Sequence, residues 1–132
     1  MKAISASMTK GLQVGSQIKC ADNSGAKILE VISVRGYRGR RRSRPSSGVA
    51  DQVSCKVISG VESVRHEVHM TIVIRQKKEY KRLDGIRVSF EDNAGIVVNE
   101  KFEPKGTLVK GPVAKEVIER FPTVGKIASI VI

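Results

Sequence analysis

Tryptophan is absent from this sequence, and the aromatic residues are only Tyr37, Tyr80, Phe90, Phe102 and Phe121. A chain so short of flat side chains is not a platform for stacking successive bases of a single strand, because that mode needs several exposed aromatic faces. Cysteine is scarce as well. Cys20 and Cys55 are too few for a disulfide framework and are not paired as C-x-x-C, so buried apolar thiols are expected and a zinc site is not. His66 and His69 stand three apart, which places them on opposite faces of a strand and makes no ligand pair. No segment approaches the roughly 18 consecutive apolar residues of a spanning helix, and the opening MKAISASMTKGLQVGSQ lacks the apolar block of a secretory leader. No membrane partner is expected, and the chain reads as cytoplasmic. Gly11 and Gly15 lack the lysine of a phosphate-cradling loop, and neither thiol has a base arranged beside it. No enzyme activity, cofactor or metal is expected.

Negative charge is missing from one place above all. Residues 34–47 read VRGYRGRRRSRPSS, with Arg35, Arg38, Arg40, Arg41, Arg42 and Arg44 and not one carboxylate. Across 132 residues, 24 Lys and Arg face 13 Asp and Glu, for a net +11. Residues 27–56 account for +6 of this and residues 75–87 for +4, so two short segments hold nearly all the excess. Charge serving solubility alone would be spread; charge segregated in this way implies a polyanionic partner.

What is present in quantity is β-branched residues at period two. The alternation over residues 26–34, 50–59 and 67–75, with shorter runs at 17–21, 86–91 and 95–99, predicts strands bounded by Gly, Asn and Asp clusters. Short strands with no helix between them point to a small antiparallel barrel and a mainly β fold. Asp22-Asn23-Ser24-Gly25 and Asp92-Asn93-Ala94-Gly95 both read as hairpin turns needing positive φ. The arginine stretch then becomes a basic hairpin over 34–50. Gly36, Gly39, Pro45 and Gly48 exclude a continuous helix there. After Pro104 the pattern changes. Pro112 at a first helical turn, with Val113, Val117, Ile118 and Phe121 on one face, predicts a helix over 112–120, ended by Pro122. Thr123 is expected to cap a second helical turn reaching about Ser129, with Ile127, Ile130, Val131 and Ile132 docking on the barrel or on another protein. The whole of 1–132 reads as one domain with a helical segment over 111–130.

A bare address tag would need one basic run, whereas this chain has two. The guanidinium fork matches phosphate bidentately, so fixed contacts to a folded nucleic-acid backbone are the natural use of Arg38, Arg40, Arg41, Arg42 and Arg44. No helix-turn-helix, zinc finger or basic region with heptads is present, which disfavours the major-groove readers and favours RNA. Tyr37 is placed to stack on one unpaired base. Arg75, Lys77, Lys78, Lys81, Arg82 and Arg87 are expected to form a second RNA face, with Lys27 and Lys56 on the stem of the hairpin. The competing reading is a basic barrel adaptor for acidic protein or anionic lipid, whose bound partner would resist nuclease.

Five stretches occur in one order: Cys20-Ala-Asp-Asn-Ser-Gly-Ala-Lys27, Arg75-Gln-Lys-Lys78, Asp84-Gly-Ile-Arg87, Phe90-Glu-Asp-Asn-Ala94 and Gly111-Pro-Val-Ala-Lys-Glu116. In order and spacing they resemble the universal large-subunit ribosomal protein fourteen family, over essentially residues 10–130. The longer start before Gly11 and the arginine-rich hairpin look archaeal or eukaryotic in type, and the lack of a long lysine-rich tail favours archaeal. The resemblance implies a closed five-stranded barrel with a projecting β-ribbon and two short C-terminal helices. It implies a structural role in the large ribosomal subunit, on large-subunit ribosomal RNA, with neighbouring large-subunit proteins and with small-subunit ribosomal RNA at an intersubunit bridge. It also implies that factors blocking subunit joining use the C-terminal surface, here Pro112, Val113, Lys115, Glu116, Glu119, Arg120, Lys126 and Ile127.

Overall fold

The computed structural model describes residues 2–4 and 6–132. Two-residue β1 (Leu12–Gln13) leads into β2 (Gln17–Cys20), and the strongest alternation of the sequence becomes two nine-residue strands, β3 (Ala26–Val34) and β5 (Gln52–Gly60), with two-residue β4 (Ser46–Ser47) between them. β6 (Val68–Arg75) follows, then a small hairpin of β7 (Tyr80–Lys81) and β8 (Arg87–Val88), and then β9 (Ala94–Val98). β2, β3, β5, β6 and β9 close into a barrel in that order.

Four of its pairings are antiparallel, and the closing pair, Lys19 with Ala94 and Cys20 with Gly95, is parallel. That follows from counting. Strands that alternate in direction around a ring of five must meet their own direction once. Closure removes the exposed edges that an open sheet of this length would carry.

The barrel interior holds Ile18, Leu29, Val31, Val53, Cys55, Val57, Val73 and Val97. A second apolar layer lies outside β6 and β9, where Ile72, Ile74, Ile96 and Val98 meet Tyr80, Val109, Val113, Val117, Phe121 and Val124. β9 is therefore buried on both faces, whereas β3 keeps Ile28 and Ile32 in solvent.

Several expectations are corrected. Gly95 is not a turn residue of positive φ but part of β9; a Cβ there would stand 2.7 Å from Thr71 Cγ2 and 3.0 Å from Ile18 Cδ1, so close packing demands the glycine. The strand read over 86–91 shrinks to β8, because Phe90 N–H and Ser89 Oγ donate to the carbonyls of Gln76 and Lys77 instead of continuing a ladder. Pro112 does not open a helix. It lies in β10 (Val109–Val113), which pairs in parallel with β11 (Ala128–Val131) through a register shift between Val109 and Pro112, where a residue without N–H is tolerated. α1 spans Lys115–Arg120, and Pro122 begins α2 (Pro122–Gly125) rather than simply ending α1. Thr123 is no cap; its hydroxyl donates to Phe102 O at 2.9 Å. The second helical turn stops at Gly125, short of the expected Ser129, and Ala128 and Ser129 already belong to β11. No helix among the described residues is long and apolar enough to cross a membrane.

Candidate nucleic-acid interface

The arginine stretch leaves the barrel at the end of β3 and returns through β4 and the buried residues Val49 and Ala50. It is not a regular ribbon: among the described residues, 35–45 form no strand pairs, and the excursion's ladder contacts are Leu12 with Ser47 and Gln13 with Ser46. Both ends are held. Arg35 N–H donates to Gln52 O at 3.0 Å, and at the other end Gln76 Oε1 accepts from Val49 N–H at 3.2 Å. Gln76 Nε2 donates to Thr9 O and Lys78 O, so one buried amide also ties the N-terminal segment to the loop's base.

Between these anchors, Arg38, Arg40, Arg41, Arg42 and Arg44 are exposed, and none of their guanidinium groups meets a carboxylate or carbonyl among the described residues. Arg35 differs from them, because its Nη1 donates to Gln52 Oε1 at 3.0 Å and its head lies 5.5 Å from the Phe102 ring centre. Tyr37 is half out in solvent and lines an open cleft with Ile4, Met8 and Arg38.

The second basic cluster divides. Lys77, Lys78 and Lys81 are exposed, as are Lys27 and Lys56 on neighbouring barrel strands, and Arg87 is exposed beside Glu79 at 2.7 Å. Arg75 and Arg82 leave the expected RNA set. Arg75 is 7% exposed; its Nε and Nη2 fork onto Asp92 at 2.9 and 3.3 Å, and its Nη1 donates to the carbonyls of Lys110 and Pro112 at 3.0 and 2.8 Å. Arg82 Nε donates to Glu116 Oε1 at 2.7 Å, and that hydrogen bond raises its already high pKa. Tyr80 completes the group, donating to Glu116 Oε2 at 3.0 Å; burial, then the Glu116 charge, pushes its phenol up to about 12. A largely buried guanidinium already holding a carboxylate has little left for phosphate, whereas Arg87 keeps most of its surface in solvent.

The expected protein-partner surface divides too. Val113 and Glu116 are buried, the first in the outer apolar layer and the second under Tyr80 and Arg82. Lys115 and Lys126 are exposed, Pro112, Glu119 and Ile127 are half-buried, and Arg120 Nη1 donates to Ala50 O at 3.2 Å beside Asp51. Lys10, which no pattern in the sequence singled out, is brought against Asp51 from the other side.

A family described as ribosomal protein L14p/L23e matches residues 11–132. The chain belongs to this family. It is 48% identical to the large ribosomal subunit protein uL14 of Methanoregula boonei along all 132 residues of both chains. The uL14 proteins of Methanocorpusculum labreanum and Halobacterium salinarum are 45% and 43% identical over the same full span. These archaeal relatives agree with the type read from the motifs, and membership makes the chain a structural component rather than an enzyme.

The thiols are consistent with a structural role. Burial, and after it the hydrogen bond from Sγ to Asp22 Oδ1 at 3.0 Å, raises Cys20 to about 12, and burial raises Cys55 to about 11. At pH 8 the folded chain therefore exposes roughly a thousandfold less thiolate at Cys20, and about a hundredfold less at Cys55, than the unfolded chain. Iodoacetamide should label both slowly until denaturant is added; equal rates in the two states would contradict the burial. Because the folded chain holds these protons more tightly, the thiols stabilise it fully below pH 9, and that contribution is lost as pH rises toward 11 to 12.

Proposed function

We propose that this chain is a ribosome-bound, cytoplasmic structural constituent of the large ribosomal subunit that clamps large-subunit ribosomal RNA with its arginine loop. The observation that carries the reading is the set of five exposed guanidinium groups, Arg38, Arg40, Arg41, Arg42 and Arg44, left without protein partners among the described residues on a loop anchored at both ends. Fixed ends limit the loop's wandering, and partnerless forks favour bidentate phosphate contacts. Lys27, Lys56, Lys77, Lys78, Lys81 and Arg87 supply further cationic surface. Family membership supports the ribosomal assignment, with ribosomal proteins as neighbours. The finer reading is that the chain also meets small-subunit ribosomal RNA at an intersubunit bridge. In that reading Lys115, Glu119, Lys126 and the exposed parts of Pro112 and Ile127 form the surface used by factors that block subunit joining.

The test is the salt dependence of binding to large-subunit ribosomal RNA fragments, for the parent and for a variant with Arg40, Arg41 and Arg42 changed to Ala. The parent's log K should fall steeply with log salt, and the variant's slope should be shallower by roughly 2 units, at about 0.7 to 0.9 per lost phosphate contact. Matching slopes would turn the loop into a solvated or protein-facing surface.

A further inference from the structure

The arginine loop and the N-terminal segment enclose an open cleft of about 470 Å³, within the roughly 300–1,000 Å³ of ligand clefts. We propose that this cleft seats one unpaired base of the bound RNA against Tyr37, with the adjoining phosphate on Arg38. The inference rests on the RNA-binding reading and adds to it a site for a base.

The walls carry the argument. Ile4, Met8 and Val34 give one side an apolar surface, and Tyr37 supplies the aromatic ring. The cations around the cleft are not equivalent. Lys10 and Arg120 are both held by Asp51, and Arg35 is held by Gln52 and lies against Phe102. Arg38 alone of the four has no protein partner among the described residues. Asp51, the cleft's single carboxylate, is neutralised from two sides, so it does not repel an entering phosphate. An apolar wall, one ring and one unpaired guanidinium suit a nucleotide, whose base needs a face to stack on and whose phosphate needs a fork.

Gly39 fixes the ring. A Cβ at this position would come within 2.0 Å of the Tyr37 hydroxyl oxygen and 2.2 Å of Cζ, so the phenol end lies directly over the glycine. The backbone of Gly39 is not in the left-handed region, so alanine suits the backbone there, and the nearest group it displaces is the tyrosine ring. Gly39→Ala therefore moves the proposed stacking surface without removing it and without touching a charge.

The probes are a short RNA duplex with one bulged adenosine and the same duplex with an abasic bulge. The full chain is compared with its Tyr37→Ala, Tyr37→Phe and Gly39→Ala variants, each shown by its denaturation midpoint to be folded. The parent should prefer the adenosine bulge by roughly 5- to 150-fold, the range of one base–aromatic stack. Tyr37→Phe should keep the preference. Tyr37→Ala and Gly39→Ala should bring it near one, with the salt slope unchanged. Equal affinity of the parent for the two RNAs, with steep salt dependence intact, overturns the base seat and leaves the phosphate clamp. A preference that survives both alanine variants overturns it as well. Loss of salt-dependent binding to either RNA overturns the base seat and the clamp together.

Discussion

Asp22→Ala is expected to lower the stability of the chain by about 3–5 kcal/mol, a large share of the 5–15 kcal/mol typical of a folded protein. The side chain is 4% exposed, and both its oxygens accept hydrogen bonds. Oδ2 accepts from Val97 N–H at 2.7 Å, while Oδ1 accepts from Ser24 N–H at 3.1 Å, from the Ser24 hydroxyl and from Cys20 Sγ. The position explains the need. The parallel closure of β2 and β9 ends at Cys20 and Gly95, two residues before Val97, and the Asp22 carboxylate continues the ladder where β2 has run out. Alanine leaves a buried N–H with nothing to donate to. The midpoint of urea unfolding should fall with the m-value unchanged, and Asp22→Asn should fall between, since one amide oxygen cannot serve both Val97 and Ser24. A loss below about 1 kcal/mol for the alanine variant would remove Asp22 from the closure.

Arg75→Ala should cost about 3 kcal/mol, the low end for stripping a buried ion of its partner, because Asp92 retains some exposure to water. Its guanidinium joins β6 both to Asp92 and to two carbonyls of β10. Gly111, between those carbonyls, has φ 79, and a Cβ there would sit 2.9 Å from Arg75 Nη1, so the backbone wraps the arginine closely. Lysine should not rescue the fold, since a point charge cannot fork onto Asp92 and reach both carbonyls. The salt slope for RNA should not change in Arg75→Gln, which removes the charge, under conditions where that variant is folded. A shallower slope would return Arg75 to the RNA surface.

These two residues mark what sequence could and could not disclose. β3, β5 and β6 were legible to within a residue or two because their β-branched residues alternate over eight or nine positions. The barrel was legible with them, and the parallel closure follows from an odd strand count. Arg75 was misread because charge counting treats every arginine alike, whereas its fate depends on Asp92, 17 residues away, brought near by the β6–β9 register. Pro112 was misread because its helix-opening preference competes with a strand pairing to Ile130 that no local pattern announces. The exposure of the loop arginines was legible because no carboxylate lies within residues 34–47 to hold them down. The cleft beside Tyr37 was invisible, since it needs Ile4, Ala6, Met8 and Lys10 brought against residues 34–38.

The parallel seam of the barrel also bears on synthesis. Lys19 pairs with Ala94, 75 positions later, so the ring cannot close until β9 has been made. A chain growing from its N-terminus presents Arg35 to Arg44 about 50 residues before that strand exists. Contacts of such long range form late, and until they do the nascent sheet has open edges. A polyanion near the growing chain would therefore meet the cationic loop before a finished barrel exists.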